Sequence, residues 1–144
     1  MKIMFVSAAN STHTVRWVNA LAERGHEVYL VSNRGHEPKE DALNSRVKLY
    51  LMKHSGGKGY YLNAGELRKI AKRINPDVIN VHYASGYGTL ARKARLPKYI
   101  LSVWGSDVYD FPYESRVKNH ILKRNVRSCL LYTSDAADDR ISVD

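Results

Sequence analysis

The chain has 144 residues, 44% of them hydrophobic, with 23 Lys and Arg, 14 Asp and Glu, and a formal net charge of +9. That is enough apolar material for one domain with its own core, which excludes a disordered chain, and no apolar run approaches membrane-spanning length. Residues 1–128 hold 22 of the bases and 10 of the acids, a net of +12, which favours anionic partners such as nucleotide phosphates, an anionic membrane surface or nucleic acid.

A solvated basic face with no dedicated partner is the competing reading of that charge. The opening Met1-Lys2-Ile3-Met4-Phe5-Val6 is too short an apolar stretch for a secretory signal. A cytoplasmic location is therefore expected, with peripheral contact at the inner face of the membrane as an option the basic charge leaves open.

Lys2 to Ser7 is an apolar run of strand length, followed by a polar turn, Ala8 to His13. Thr14 to Arg24 places Val15, Val18, Leu21 and Ala22 on one helical stripe, and Gly25 stops it. An apolar strand covered on both faces predicts a parallel sheet under helices. Ligands of such sheets sit beyond the carboxyl ends of the strands. The turn Asn10, Ser11, His13 and Thr14 is thus the first candidate binding segment, its helix amides and hydroxyls suiting an anion or a sugar hydroxyl.

His26 to Ser32 reads as a second strand, Asn33 to Ser45 as loop, and Val47 to Met52 as a third, edge-like strand. His54 to Tyr61 reads as a flexible basic-aromatic loop. Asn63 is placed to cap a helix, with Glu66 closing a capping box. Leu67, Ile70, Ala71 and Ile74 give that helix its apolar stripe, and Asn75-Pro76 ends it. Asp77 to His82 is the fourth strand. Tyr87, Leu90, Ala91 and Ala94 mark a short helix whose outer face carries Arg92, Lys93 and Arg95. Tyr99 to Val103 is the fifth strand, and Ser115 to Arg127 a basic helical segment with Val117, Ile121 and Leu122 apolar. The order predicts a Rossmann-like, doubly wound, mostly parallel α/β sheet, incomplete at its end.

Residues 129–144 break the pattern. Cys129-Leu130-Leu131-Tyr132-Thr133-Ser134-Asp135-Ala136-Ala137-Asp138-Asp139 is acidic and rich in Ala and Ser, and it resembles the translation of a transposase-type sequencing adapter. The domain is accordingly expected over 1–128, with 129–144 a non-native tail and the gene cut off there. Cys129, the one cysteine, goes with the tail, so disulfides, zinc ligation and cysteine nucleophiles are not expected.

Three blocks carry a resemblance. They are Ser11-Thr12-His13-Thr14-Val15-Arg16-Trp17 with Arg24-Gly25-His26-Glu27-Val28; Pro76-Asp77-Val78-Ile79-Asn80-Val81-His82-Tyr83; and Val103-Trp104-Gly105-Ser106-Asp107-Val108. Together, in that order, they resemble the N-terminal half of family-four glycosyltransferases, over almost all of residues 1–128. The resemblance implies a GT-B architecture of two Rossmann-like domains and sugar transfer from a nucleotide-sugar with retention, with no metal or other cofactor. It also implies that this domain holds a sugar or lipid-linked acceptor, while a C-terminal domain, missing here, holds the nucleotide-sugar donor. The fragment alone is then expected to be inactive. The commonest family pattern has a histidine where Asn80 stands, and many members have another near Trp104.

On that reading His82 and Asp107 are the candidate catalytic residues. His82 would hydrogen-bond a sugar hydroxyl or the leaving phosphate, and Asp107 would orient or deprotonate the acceptor hydroxyl. The candidate substrate-binding residues are Asn10, Ser11, His13, Thr14, Arg16, Tyr83, Gly86, Trp104, Gly105 and Ser106. Arg16 could reach an acceptor phosphate or carboxylate; Gly105 would let the backbone approach the ligand. Trp17 is expected in the core rather than under a ligand. Strand-end or capping roles are the competing readings for His82, His13 and Asp107.

Gly86-Tyr87-Gly88-Thr89-Leu90-Ala91 also fits G-x-G-x-x-A, with Asp107 about 20 residues on. A non-catalytic Rossmann-like module binding a dinucleotide or nucleotide is therefore the alternative function. The motif follows the fourth strand rather than the first, which counts against it. Nucleic acid is not an expected partner, because no aromatic platform for bases is visible.

Overall fold

A computed structural model describes residues 1–105, 111–129 and 131–134. The elements are β1 (Lys2–Val6), α1 (Thr12–Glu23), β2 (Glu27–Arg34), β3 (Lys48–Ser55), α2 (Gly56–Leu62), α3 (Ala64–Ile74), β4 (Val78–His82), α4 (Gly86–Ala94), β5 (Tyr99–Val103), α5 (Phe111–Glu114), α6 (Arg116–Ser128) and β6 (Leu131–Ser134). The sheet order is β3-β2-β1-β4-β5-β6, with every neighbouring pair parallel. This is the expected doubly wound α/β arrangement. The chain order reverses between β1 and β4, so the crevice beyond their carboxyl ends is the switch point.

Strand side chains alternate between two cores. Ile3, Phe5, Val28 and Leu30 face α1 through Val18 and Ala22. Met4, Val6, Tyr29 and Val31 face the other side, with Leu67 and Ile70 of α3, Leu90 of α4 and Leu122 of α6. The 35–47 connection carries no helix, and Leu43 and Val47 cover part of the α1 side instead.

Several local expectations need correcting. Residues 56–62 are helix α2, not loop. Gly59 is required inside it: a Cβ there would stand 2.8 Å from the His54 carbonyl oxygen. Asn63 and Glu66 form no capping box. The Asn63 side chain turns inward, accepting from His54 N–H at 2.9 Å and donating to Asn33 Oδ1 at 2.8 Å, while Glu66 accepts from Lys53 N–H at 2.9 Å. Long-range partners outcompeted the local pair. Trp17 is 45% exposed rather than core, because α1 buries the Thr14, Val18, Ala22 stripe. Val117 is exposed as well, and α6 buries Leu122 and Asn125.

Strand β6 pairs Leu131 with Ile100 and Ser134 with Val103, inside the stretch that resembles adapter. The sheet thus continues past residue 128, where the domain was expected to end.

Candidate active site

The carboxyl ends of β1, β4 and β5 bring three separated parts of the sequence together. Trp104, just after β5, donates its indole Nε1–H to His82 Nδ1 at the end of β4, 3.4 Å apart. The His13 ring, in the first turn of α1, lies 5.8 Å from Trp104 between centroids. Tyr83 stands edge-on to Trp104 at 5.4 Å, and Phe5 of β1 packs its ring 5.4 Å from His82. Residues from positions 5, 13, 82, 83 and 104 thus share one cluster at one rim.

His82 is 1% exposed. Burial, with His13 as a lesser cause, pushes its pKa down to about 4. It is therefore neutral at pH 7. With Nδ1 accepting from Trp104, its proton sits on Nε2. His13, near enough to act on that pKa, is exposed, as is Arg16 one turn further along α1. They line a hollow of ≈370 Å³ with Trp17 and Ala20.

A second hollow, ≈240 Å³, is walled by Ala8, His36, Tyr60, Tyr83, Tyr87 and Trp104. The His13–Trp104 ring contact joins the two. Tyr83 adopts φ +77°, a left-handed conformation that is an outlier for a bulky side chain. Its N–H donates to the Ser102 carbonyl at 2.8 Å, and its carbonyl accepts from Gly88 N–H at 3.0 Å. These bonds on both sides hold the strained turn that carries the ring beside Trp104.

Tyr87 anchors the floor. Its hydroxyl accepts from Asn33 N–H at 3.0 Å and pairs with His36 Nδ1 at 2.5 Å, tying the end of β2 to α4. Tyr60 crosses the Tyr87 ring edge-on at 5.2 Å. Burial lowers the pKa of His36 and raises those of Tyr60 and Tyr87. All three groups are held neutral. The sequence reading placed Tyr87 only on an apolar stripe and Tyr60 in a loop, and did not single out His36.

The other expected residues divide. Asn10 is exposed and Ser11 partly so, at the mouth of α1. Thr14 is fully buried and shares a 2.5 Å hydrogen bond with Ser7, a structural position. Gly86 is buried, and a Cβ on it would stand 2.6 Å from Tyr60 Cζ; one on Gly88 would stand 3.5 Å from Asn125. Gly86 thus makes room for Tyr60, and α6 lies in ordinary contact beside Gly88, in the space a pyrophosphate would need. Gly105 has φ +118°, with no described atom within 4 Å of a Cβ position. Ser106 and Asp107 lie outside the described residues.

One hub escaped the sequence reading. Asn125 of α6, fully buried, donates from Nδ2 to the Ala84 carbonyl and to Thr89 Oγ1, each at 2.8 Å, and accepts from Arg92 Nε at 2.8 Å. It fixes the turn that follows Tyr83. Among the described residues no group of three or more His, Cys, Asp or Glu could hold a metal ion, and no helix is long and apolar enough to cross a membrane.

A model of the family described as glycosyl transferase 4-like matches residues 2–135. The chain belongs to that family. Among solved structures, this glycosyl transferase 4-like chain is similar to MurG of Acinetobacter baumannii, with 11% identity and a TM-score of 0.62, covering 92% of this chain and 41% of that one. It is also similar to a wide-type short-chain dehydrogenase/reductase from Veillonella parvula in complex with NADP, with 14% identity and a TM-score of 0.58, covering 92% and 67%. Likenesses at such identity establish the fold. The glycosyl transferase 4-like chain spans about two fifths of the MurG chain's length. No curated protein matches the sequence.

Proposed function

We propose that this chain is the acceptor-side domain of a GT-B, nucleotide-sugar-dependent glycosyltransferase acting with retention in polysaccharide or glycolipid synthesis. One observation carries the reading within the family. His13 from the first turn of α1, and Tyr83 and Trp104 from the segments after β4 and β5, meet beside an aromatic hollow at the switch point of the sheet. Aromatic walls with a few convergent polar groups suit a ring-shaped ligand with hydroxyls.

In this scheme the acceptor hydroxyl oxygen bonds to the anomeric carbon, the bond from that carbon to the nucleotide diphosphate breaks, and the hydroxyl proton passes to the departing diphosphate oxygen. Charge grows on the diphosphate and is held by helix amides and bases of a donor-binding domain. His82 acts from behind Trp104: neutral and buried, it positions the indole through its Nδ1. His13 and Arg16 meet the acceptor's polar groups, and Asp107 orients its hydroxyl. The basic charge of residues 1–128 fits peripheral contact with an anionic cytoplasmic membrane surface, where lipid-linked acceptors reside.

The test is sugar transfer by a two-domain enzyme that carries this chain as its N-terminal domain, assayed with several nucleotide-sugars. Transfer that falls at least tenfold on replacing Trp104 by Ala is expected. Hydride transfer without sugar transfer ends the proposal.

A further inference from the structure

A third cavity, ≈470 Å³, opens at the opposite rim, between the carboxyl ends of α3 and α4. Its inner wall is apolar, built by Ala71, Ile79 and Leu96, all buried, with Pro76 and Pro97 beside them. Its edge carries Arg68, Lys72 and Arg95 and no acid. No carboxylate among the described residues lies within ion-pair distance of these three cations.

The two helix ends supply roughly half a negative charge each, which leaves about +2 uncompensated. Part of that helix charge is already engaged. The Ala94 carbonyl accepts from Arg68 Nε at 2.9 Å, and the Ile74 carbonyl from Lys2 Nζ at 3.3 Å. The first of these bonds also fixes the Arg68 guanidinium. Asn75 and Arg95 adopt left-handed conformations, φ +51° and +56°, which turn the chain sharply at both helix ends around the opening.

We propose that this cavity binds an anionic amphiphile, a phosphate monoester joined to an apolar body. The phosphate would lie on Arg68, Lys72 and Arg95, and the apolar part on Ala71, Ile79 and Leu96. Guanidinium donors match a phosphate bidentately, and the buried wall gives an alkyl or ring body a dry surface. The cavity shares no residue with the aromatic hollow, so this inference stands apart from the glycosyltransferase reading.

Calorimetric titration of the 144-residue chain with monomeric octyl phosphate, inorganic phosphate and octyl glucoside tests it. Octyl phosphate is expected to bind at least about tenfold more tightly than either comparison probe. Lys72→Glu, an exposed change, should weaken octyl phosphate by about tenfold or more with the circular dichroism spectrum unchanged, and Arg68→Gln with Arg95→Gln should do the same. Trp104→Ala should leave binding intact. Octyl phosphate binding no tighter than inorganic phosphate, or unmoved by Lys72→Glu, overturns the proposal. Vesicles of phosphatidylcholine with and without phosphatidic acid separate the sources. Recruitment by phosphatidic acid that Lys72→Glu abolishes supports a lipid headgroup; octyl phosphate binding without recruitment supports a soluble ligand.

Discussion

Lowering the pH from 7 to 5 protonates His82 in the unfolded chain, while the fold still holds its ring neutral. Burial behind Phe5 and Trp104 pushes the His82 pKa down to about 4, against an ordinary value of 6.5. Between those values the unfolded chain binds more protons than the folded one, so stability rises with pH there. The contribution is complete above pH 6.5 and fades as pH falls toward 4. The full shift is worth about 3 kcal/mol, of which about 2 kcal/mol is gone by pH 5. The assay is urea unfolding followed by circular dichroism at pH 7, 6 and 5, on the wild type and on His82→Gln. The variant starts less stable, but its loss between pH 7 and 5 should be smaller by about 2 kcal/mol. His36, also lowered by burial, titrates in both proteins with the same sign and cancels in the comparison. Glu27 and Glu37, lowered from 4.5, titrate below the window. Parallel losses in the two proteins would refute a buried neutral His82.

Asn125→Ala should cost about 2–4 kcal/mol, since it strips partners from the Ala84 carbonyl, Thr89 and Arg92 in a buried network; a loss below about 1 kcal/mol in urea unfolding would remove its role as a hub. Gly86→Ala should cost about 1–3 kcal/mol by driving a methyl into Tyr60, and most of that should be recovered in a Tyr60→Ala background; additive losses in that double-mutant cycle would contradict the contact. A chain ending at Ser128 should still melt cooperatively, because β6 contributes only the outer edge of the sheet; a broad, non-cooperative melt would place the domain boundary further on.

The parallel sheet was legible because its strands are short apolar runs between turn residues. Tyr99–Val103 came out with the bounds the sequence predicts, and β1 to β4 to within a few residues, while β6 fell in the stretch read as tail and was not expected. Helix α2 was not legible. Gly56, Gly57 and Gly59 argue against a helix locally, and what holds it is tertiary: Tyr60 against Tyr87, and Gly59 close against the Asn33 side chain. The site was legible in part. Motif blocks placed His82, Tyr83 and Trp104 at strand ends and His13 at the start of the first helix, and the fold brings those four together. No local pattern shows that His82 would be sealed behind Trp104, or that the hydroxyl of Tyr87 would join His36 to the end of β2. A buried tyrosine needs a partner for its hydroxyl, and that was the one available signal. Asn125 carried none, since a lone asparagine in a basic helix reads as surface.

The left-handed turn at Tyr83 makes position 83 a place where folding and use pull apart. Glycine would relieve about 1 kcal/mol of backbone strain or more while deleting the ring that walls the aromatic hollow. A saturation library screened only for thermal tolerance would enrich glycine and asparagine there, whereas one screened for ligand retention would return the aromatic. Divergence between those two winners would mark residue 83 as kept for occupancy of the crevice.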